Sequence, residues 1–247
     1  MLFFVIKVVF FIFQLGCVKS YYSFRQSFVR HASSVESSTI ISATLKKRQF
    51  HITTVDGLED VLVKEIQSKI SDIENLTVQK KGVTFTGTSK SGFESLLWLR
   101  TSLKVMEKID ISHIGAENDQ IFVYNKDDLY DFTSLIDWKS MIRYDQTIKC
   151  DATISSTTSP TLTHTHFTAL TIKNAIIDQF RNHYKDDNCR PDVDLENPML
   201  PLLLYLHRNE AFLYRVWSGD QSMHKRGYRS DSVIHKASLR ETTAAGM

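Results

Sequence analysis

Thr161–Tyr184 reads TLTHTHFTALTIKNAIIDQFRNHY. Ala169, Ile172, Ile176, Ile177, Phe180 and Tyr184 recur at steps of three and four, which is the apolar stripe of an amphipathic helix. The opposite face carries Lys173, Asn174, Gln179 and Arg181, so one side packs and the other meets something wet. Thr163, His164, Thr165 and His166 lead in, residue types that suit helix capping. Backbone N–H groups of the first turn would point outward there, where a phosphate can sit. Lys173 lies two turns further in, roughly 12 Å along the axis from Thr165.

Before this helix, Asp127–Ile142 reads as one helix or two short ones, with Leu129, Phe132, Ile136, Trp138 and Met141 inward. Thr147–Ile154 alternates as a strand. After the helix, Asn182–Met199 is polar and carries Arg190-Pro191 and Asn197-Pro198, which predicts a loop. Leu202–His207 and Ala211–Val216 then read as two strands around Arg208-Asn209-Glu210. The order is α-α-β-α-β-β.

Further towards the N-terminus, Phe50–Val55 predicts a strand, followed by a break at Asp56-Gly57 and a helical stripe of Leu58, Val61, Leu62, Glu65, Ile66 and Ile70. Leu76–Gln79 and Val83–Phe85 flank Lys80-Lys81-Gly82 as a hairpin. Ser91–Arg100 reads as a second helix with Phe93, Leu96, Leu97 and Trp98 as core contacts, and Val105–Ile111 as a closing strand. This β-α-β-β-α-β order is the ferredoxin-like arrangement, so the fold class is α+β in two units. Asp56 and Glu59 stand at a helix start, where carboxylates act as caps.

The 247 residues carry a formal net charge of +2, unevenly spread. Residues 1–49 hold seven Lys or Arg and one acid, Glu36, which leaves the rest of the chain at −4. The folded part has no bulk basic character, so contact with nucleic acid would need a local patch. Cys17, Cys150 and Cys189 are far apart and odd in number, with no metal spacing or disulfide framework, which fits a reducing compartment. Leu2–Val18 is apolar apart from Lys7, Gln14 and Gly16, and Lys19–Ser34 has Arg and Ser but no acid. A signal-like run followed by a transit-like segment predicts organellar targeting, to a plastid in preference to a mitochondrion, with a signal anchor as the alternative. Any membrane contact would come through this N-terminal segment.

The tail carries a more specific pattern. Trp217-Ser218-Gly219-Asp220-Gln221-Ser222-Met223-His224-Lys225-Arg226-Gly227-Tyr228-Arg229 resembles the LDLSG…LHxRGYR segment of RlmL-type proteins, and Ala237-Ser238-Leu239-Arg240-Glu241-Thr242 is similar to their APLKET. Gly57-Leu58-Glu59, Lys81–Gly87, Leu97–Arg100 and Ile172–Asp178 fall in the same family order. The family consists of THUMP-containing methyltransferases that modify guanine at N2 in large-subunit ribosomal RNA. The resemblance implies a ferredoxin-like domain over 50–115, a THUMP RNA-binding domain over 116–217, and over 218–247 a linker with the first residues of a Rossmann-like methyltransferase domain. It also implies structured RNA, above all large-subunit ribosomal RNA, as partner, and S-adenosylmethionine as cofactor of the complete enzyme. The family's Gly-rich loop and Asn-Pro-Pro-Tyr/Phe motif have no counterpart: Asn197-Pro198-Met199 lacks the second Pro and the aromatic. The expectation is a non-catalytic RNA-binding half, serving a downstream or separate methyltransferase domain.

His166, Lys173, Lys225, Arg226 and Arg229 are the candidate RNA contacts. Lys173 would meet phosphate from the helix face, although a solvated lysine looks the same in sequence. His166 would hydrogen-bond RNA near the helix start, and a capping histidine is the plain alternative. Lys225, Arg226 and Arg229, with His224 and Tyr228, combine cations with a stacking ring; alternatively they pack between the two halves of a complete enzyme. A different class of function also stays open: an organellar or membrane-anchored interaction protein whose THUMP-like part has lost RNA.

Overall fold

The computed structural model describes residues 46–111, 121–157, 159–219, 222–225 and 238–247. Residues 1–45 of the expected targeting segment, and Arg226 and Arg229, lie outside the described residues. Among those described, no helix is long and apolar enough to cross a membrane.

The first unit runs β1 (Arg48–Thr54), α1 (Glu59–Lys69), β2 (Glu74–Gln79), β3 (Gly82–Gly87), α2 (Ser89–Trp98) and β4 (Ser102–Lys108), the expected ferredoxin-like order. Phe50, Ile52 and Thr54 alternate inward along β1, and the pleat puts Val83 and Phe85 of β3 and Val105 of β4 on the same face. Leu62 and Ile66 of α1 close over them. Glu65 is a buried carboxylate in this interface. Its Oε2 accepts from Arg100 N–H, Thr101 N–H and Thr101 Oγ1 at 3.1, 3.0 and 2.7 Å. Burial works to raise its pKa, and these three donors outweigh burial to leave it lowered.

α2 differs from its sequence reading. Trp98 is 54% exposed and Phe93 and Leu97 are half-buried, while Leu96, also half-buried, packs against the core as expected. The buried face is Ser91, Gly92 and Ser95. The helix lies so close to β1 that a Cβ on Gly92 would stand 2.7 Å from Phe50 Cζ. Small residues let backbone approach sheet, and large ones are pushed to the flanks.

The second unit begins with α3 (Lys126–Leu135), capped by the Asn125 side chain, and a 3-10 turn over Trp138–Ser140. These are the two short helices that Asp127–Ile142 allowed. β5 (Thr147–Ser156), α4 (Thr165–Tyr184), β6 (Asp192–Val193), β7 (Leu200–His207) and β8 (Glu210–Val216) follow. β5 and β7 run parallel with α4 as the crossover, and β7 and β8 form a hairpin. Arg208 (φ 50°) and Asn209 (φ 65°) make its turn, both left-handed as a tight two-residue connection requires. Ile172, Ile176 and Phe180 are buried as the stripe predicts, but Tyr184 is exposed. Gln179 is a correction. Far from facing water, its Oε1 accepts from Trp138 N–H at 3.0 Å, and its Nε2 donates to Ser134 O and Ile136 O. It clamps α4 to the turn after α3. The segment read as loop also holds β6, whose two residues pair with Thr147 and Ile148.

The two units share one sheet. β4 and β8, the outer strands of their own units, pair antiparallel through Met106–Val216, Glu107–Arg215 and Lys108–Tyr214. The result is a single eight-stranded sheet, order β2-β3-β1-β4-β8-β7-β5-β6. At the seam Glu107 accepts from Arg48 Nη1 on Oε1 and from Trp217 Nε1 on Oε2, both at 2.7 Å. The Trp217 ring meets Phe50 edge-on at 5.3 Å. The four long helices lie on one face of this sheet.

Candidate nucleic-acid interface

α4 starts at one end of the sheet, where β5 ends and the β7–β8 turn begins. The preceding segment is held in place by its own short polar side chains. Ser159 Oγ accepts from Thr161 and Leu162 N–H, Thr157 Oγ1 accepts from Ser159 N–H, and Thr157 Oγ1 donates to Asn209 Oδ1 at 2.8 Å. Leu162 is buried and anchors the loop to the core. The helix is therefore presented from a fixed base.

No side chain caps it. His164 stands at the N-cap position and makes no capping bond, contrary to what its Thr/His composition suggested. The threonines point down the helix instead: Thr168 Oγ1 donates to His164 O and Thr171 Oγ1 to Phe167 O, each at 3.0 Å. His164, Thr165, His166 and Phe167 are all exposed, and Phe167 is 59% exposed. Both histidine rings stand edge-on to Phe167, at 5.9 Å (His164) and 5.8 Å (His166). Phe167 was absent from the sequence reading. Its signal was there, an aromatic residue on the polar side of the stripe, next to two histidines.

His166 and Lys173 are seven residues apart, which puts them on one flank of α4, roughly 10 Å apart along the axis. Lys173 is half-buried, not fully solvated. It leans over β5 closely enough that its charge works against the upward shift of the Cys150 thiol. That thiol is pushed up to about 12, by burial first and Asp151 second, and so stays protonated and unreactive.

Lys225 is elsewhere. It ends a 3-10 turn (Met223–Lys225) seated on the start of β4, where Ser222 Oγ donates to Leu103 O and Ser102 Oγ meets Met223 Sδ at 3.4 Å. β4 starts at the end of the sheet opposite to the one where α4 begins, since it runs antiparallel to β8. The structure places His166 and Lys173 on one flank of the same helix and Lys225 at the other end of the sheet. Arg226 and Arg229 lie outside the described residues.

S-adenosylmethionine, the cofactor of the resembling family, does not fit the strand-to-helix turns described here. The β1–α1 turn has a left-handed glycine, Gly57 (φ 89°), but its N–H is taken by Glu59 Oε2 at 2.8 Å. The other Glu59 oxygen holds Lys81 N–H, so this carboxylate locks two turns instead of capping its helix alone. In the β3–α2 turn a Cβ on Gly87 would stand 2.8 Å from Ser91 Cβ, and Ser91 Oγ accepts from Thr88 N–H. At the first turn the space beside Gly57 is open but its N–H is already satisfied, at the second a Cβ is crowded by Ser91, and no methyl-transfer step is derived for these residues.

Two domain families match the chain: the RlmL ferredoxin-like domain over residues 49–106 and the THUMP domain over residues 123–216. The chain is 30% identical over 199 residues to the ribosomal RNA large subunit methyltransferase K/L of Syntrophotalea carbinolica, covering 81% of this chain and 25% of that protein. It is 33% identical over 210 residues to the protein of the same name from Psychromonas ingrahamii, covering 80% and 24%. The chain thus spans about a quarter of the length of these relatives. Among solved structures, one described as "a possible methylase from Clostridium difficile 630" superposes with a TM-score of 0.65 at 24% identity, over 81% of this chain and 48% of the other. That likeness is one of fold.

Proposed function

Because the chain carries an RlmL ferredoxin-like domain followed by a THUMP domain, we propose that it grips structured large-subunit ribosomal RNA for a guanine-N2 methyltransferase. The observation that carries this reading is the uncapped start of α4, with exposed Phe167 between His164 and His166 and Lys173 further along the same helix. An open helix N-terminus receives a phosphate, the ring stacks on an adjacent base, and Lys173 meets the next phosphate. The methyl-transfer chemistry belongs to a separate or downstream domain that supplies the S-adenosylmethionine site. Lys225 forms a second contact at the far end of the sheet, and Arg226 and Arg229, which follow it in the chain, add to the RNA contacts. Residues 1–49 direct the protein to an organelle, a plastid in preference to a mitochondrion, which a fluorescent fusion of that segment reads out.

Affinity for fragments of large-subunit ribosomal RNA across a salt series tests the main claim. Phe167→Ala removes one stacking ring and weakens binding by about 1–3 kcal/mol. Lys173→Ala weakens binding uniformly across sequences and lowers the salt slope by about 1. Lys225→Ala adds to either loss, since the sites are far apart and share no partners. Unchanged affinity in a Phe167→Ala/Lys173→Ala double variant would place the RNA elsewhere.

A further inference from the structure

The two units join in one sheet, but their cores stay apart. α1 and α2 close over one, α3 and α4 over the other, and the two share no residue. Between them, on the helix side of the seam, lies a polar row. Glu107 on β4 and Arg215 on β8 are direct cross-strand neighbours, and Phe50 of β1, which pairs with Glu107, sets Arg48 two positions along on the same face. Leu202 flanks Arg215 on β7, Leu213 precedes it on β8, and both are buried. An arginine directly opposite a glutamate usually pairs with it, and here it does not. Glu107 has given Oε1 to Arg48 Nη1 and Oε2 to Trp217 Nε1, each at 2.7 Å. Its charge still acts on Arg215 from a distance, against the burial that lowers the pKa of that guanidinium. Among the described residues, none gives the Arg215 guanidinium a hydrogen bond or an ion pair. The side chain is half-buried, enclosed without being sealed.

A guanidinium carries five N–H donors in a planar fork and stays charged across physiological pH. Donors drawn away from water are nearly always bonded within a protein, so a half-buried fork without a protein partner is placed to receive one from outside. Its geometry matches the paired oxygens of a phosphate or a carboxylate. Position selects phosphate. β8 starts at the end of the sheet where α4 begins and finishes at the end where the Met223–Lys225 turn sits. Arg215 therefore lies between the two surfaces assigned to RNA above.

We propose that Arg215, at the seam between the two units, receives one phosphate of the RNA backbone in its fork. The proposal rests on the RNA-binding reading above and adds to it a cation from the joint of the two units. Glu107 keeps Arg48 and Trp217 for itself, so the phosphate meets a single guanidinium whose donors are not already taken. The contact weakens as salt rises.

The test uses the full chain and a fluorescent hairpin from large-subunit ribosomal RNA. Arg215→Gln should weaken binding about tenfold and lower the salt slope by about 1. Arg215→Lys should keep the slope but recover only part of the affinity, since an ammonium cannot form the fork. An arginine with a structural role alone would change stability without that split. In parallel, phenylglyoxal labels arginines of the unaltered protein, and mass spectrometry of its peptides reads which ones. Arg215 should be labelled in the free protein and shielded by the hairpin. This readout stands even if the Arg215 variants fail to fold. Affinity and slope unchanged in folded variants overturn the seam proposal, as does Arg215 labelling that is absent from the free protein or indifferent to the hairpin; hairpin binding that depends on Phe167 and Lys173 then keeps the α4 reading intact. Shielding by inorganic phosphate that the hairpin does not reproduce makes the seam a site for a small anion and overturns it as an RNA contact. Shielding that grows with protein concentration in the absence of RNA assigns the fork to a carboxylate of a second copy, and overturns it too. An unaltered protein that binds no RNA overturns both readings.

Discussion

His51 sits on β1 with Nδ1 2.9 Å from Thr84 Oγ1 and its ring against Tyr214, and burial lowers its pKa to about 4. In the unfolded chain a histidine titrates near pH 6.5. Between those two values the unfolded state holds a proton that the folded state refuses, so stability is complete above pH 6.5 and falls as pH drops towards 4. The loss is at most on the order of 3 kcal/mol, from about 2.5 pKa units at 1.36 kcal/mol each, and partial exposure of the ring trims it. Urea midpoints at pH 7, 5.5 and 4.5 should therefore decline, and His51→Gln should flatten the decline across this interval. Equal slopes in the two proteins would show that His51 carries none of the effect. Glu65 contributes separately and lower down, since its carboxylate is held charged and loses its three donors' support only as pH falls through its lowered pKa. In sequence His51 looks like an isolated histidine. Its environment comes from strands far along the chain, which no local pattern reports.

α2 shows what a periodic stripe conveys and what it hides. Gly92 is mid-helix, where Gly→Ala ordinarily stabilises by about 0.5–1 kcal/mol. Here the added methyl would meet Phe50 Cζ at 2.7 Å, Phe50 Cε1 at 2.8 Å and Trp217 Cζ3 at 2.9 Å, all of them ring atoms in a packed layer. Overpacking of that kind costs about 1–3 kcal/mol, so the two effects oppose and the clash prevails. Gly92→Ala is expected to lower the thermal midpoint, while Lys90→Ala on the exposed side of the same helix leaves it nearly unchanged. A raised midpoint for Gly92→Ala would mean that the helix can move away from the sheet at little cost. The stripe Ile172, Ile176, Phe180 was legible because large apolar residues mark the buried side of α4. Ser91, Gly92 and Ser95 were not, because small residues carry no hydrophobic signal, and Trp98 drew the reading to the wrong flank. Gln179 misled in the opposite direction. A glutamine on the polar side of a stripe reads as wet, and its three partners lie around Trp138, in another element. The candidate interface divides in the same way: His166 and Lys173 stood out as polar residues on a helix, whereas Phe167 was read as neither core nor site.

At the scale of the molecule the decisive contact is the seam between β4 and β8. Both unit orders could be read from alternation and turns, but not the pairing that fuses their sheets. Each strand reads simply as the last of its own unit, and their registers connect residues about a hundred positions apart. Glu107 is the centre of that seam. It binds Arg48 from β1 and Trp217 from beyond β8, and its charge supports the Arg215 guanidinium, whose pKa is lowered by burial, against that burial. A carboxylate shared by two arginines and an indole ties the THUMP unit to the ferredoxin-like unit, so that α4 and the Met223–Lys225 turn keep a fixed separation. Removing one partner of a buried pair costs about 3–5 kcal/mol because the charge left behind stays desolvated; Arg48 keeps 23% of its side chain exposed, so the low end applies. Glu107→Ala should lower stability by about 3 kcal/mol, and Glu107→Gln by less, since the amide oxygen still accepts from Trp217 Nε1. Calorimetry carries the sharper reading. With one continuous sheet the unaltered protein should melt in a single transition, and Glu107→Ala should broaden it or split it in two as the units uncouple. Two well-separated transitions already in the unaltered protein would show that the units fold independently, and that the seam fixes neither their stability nor the spacing of α4 and the Met223–Lys225 turn.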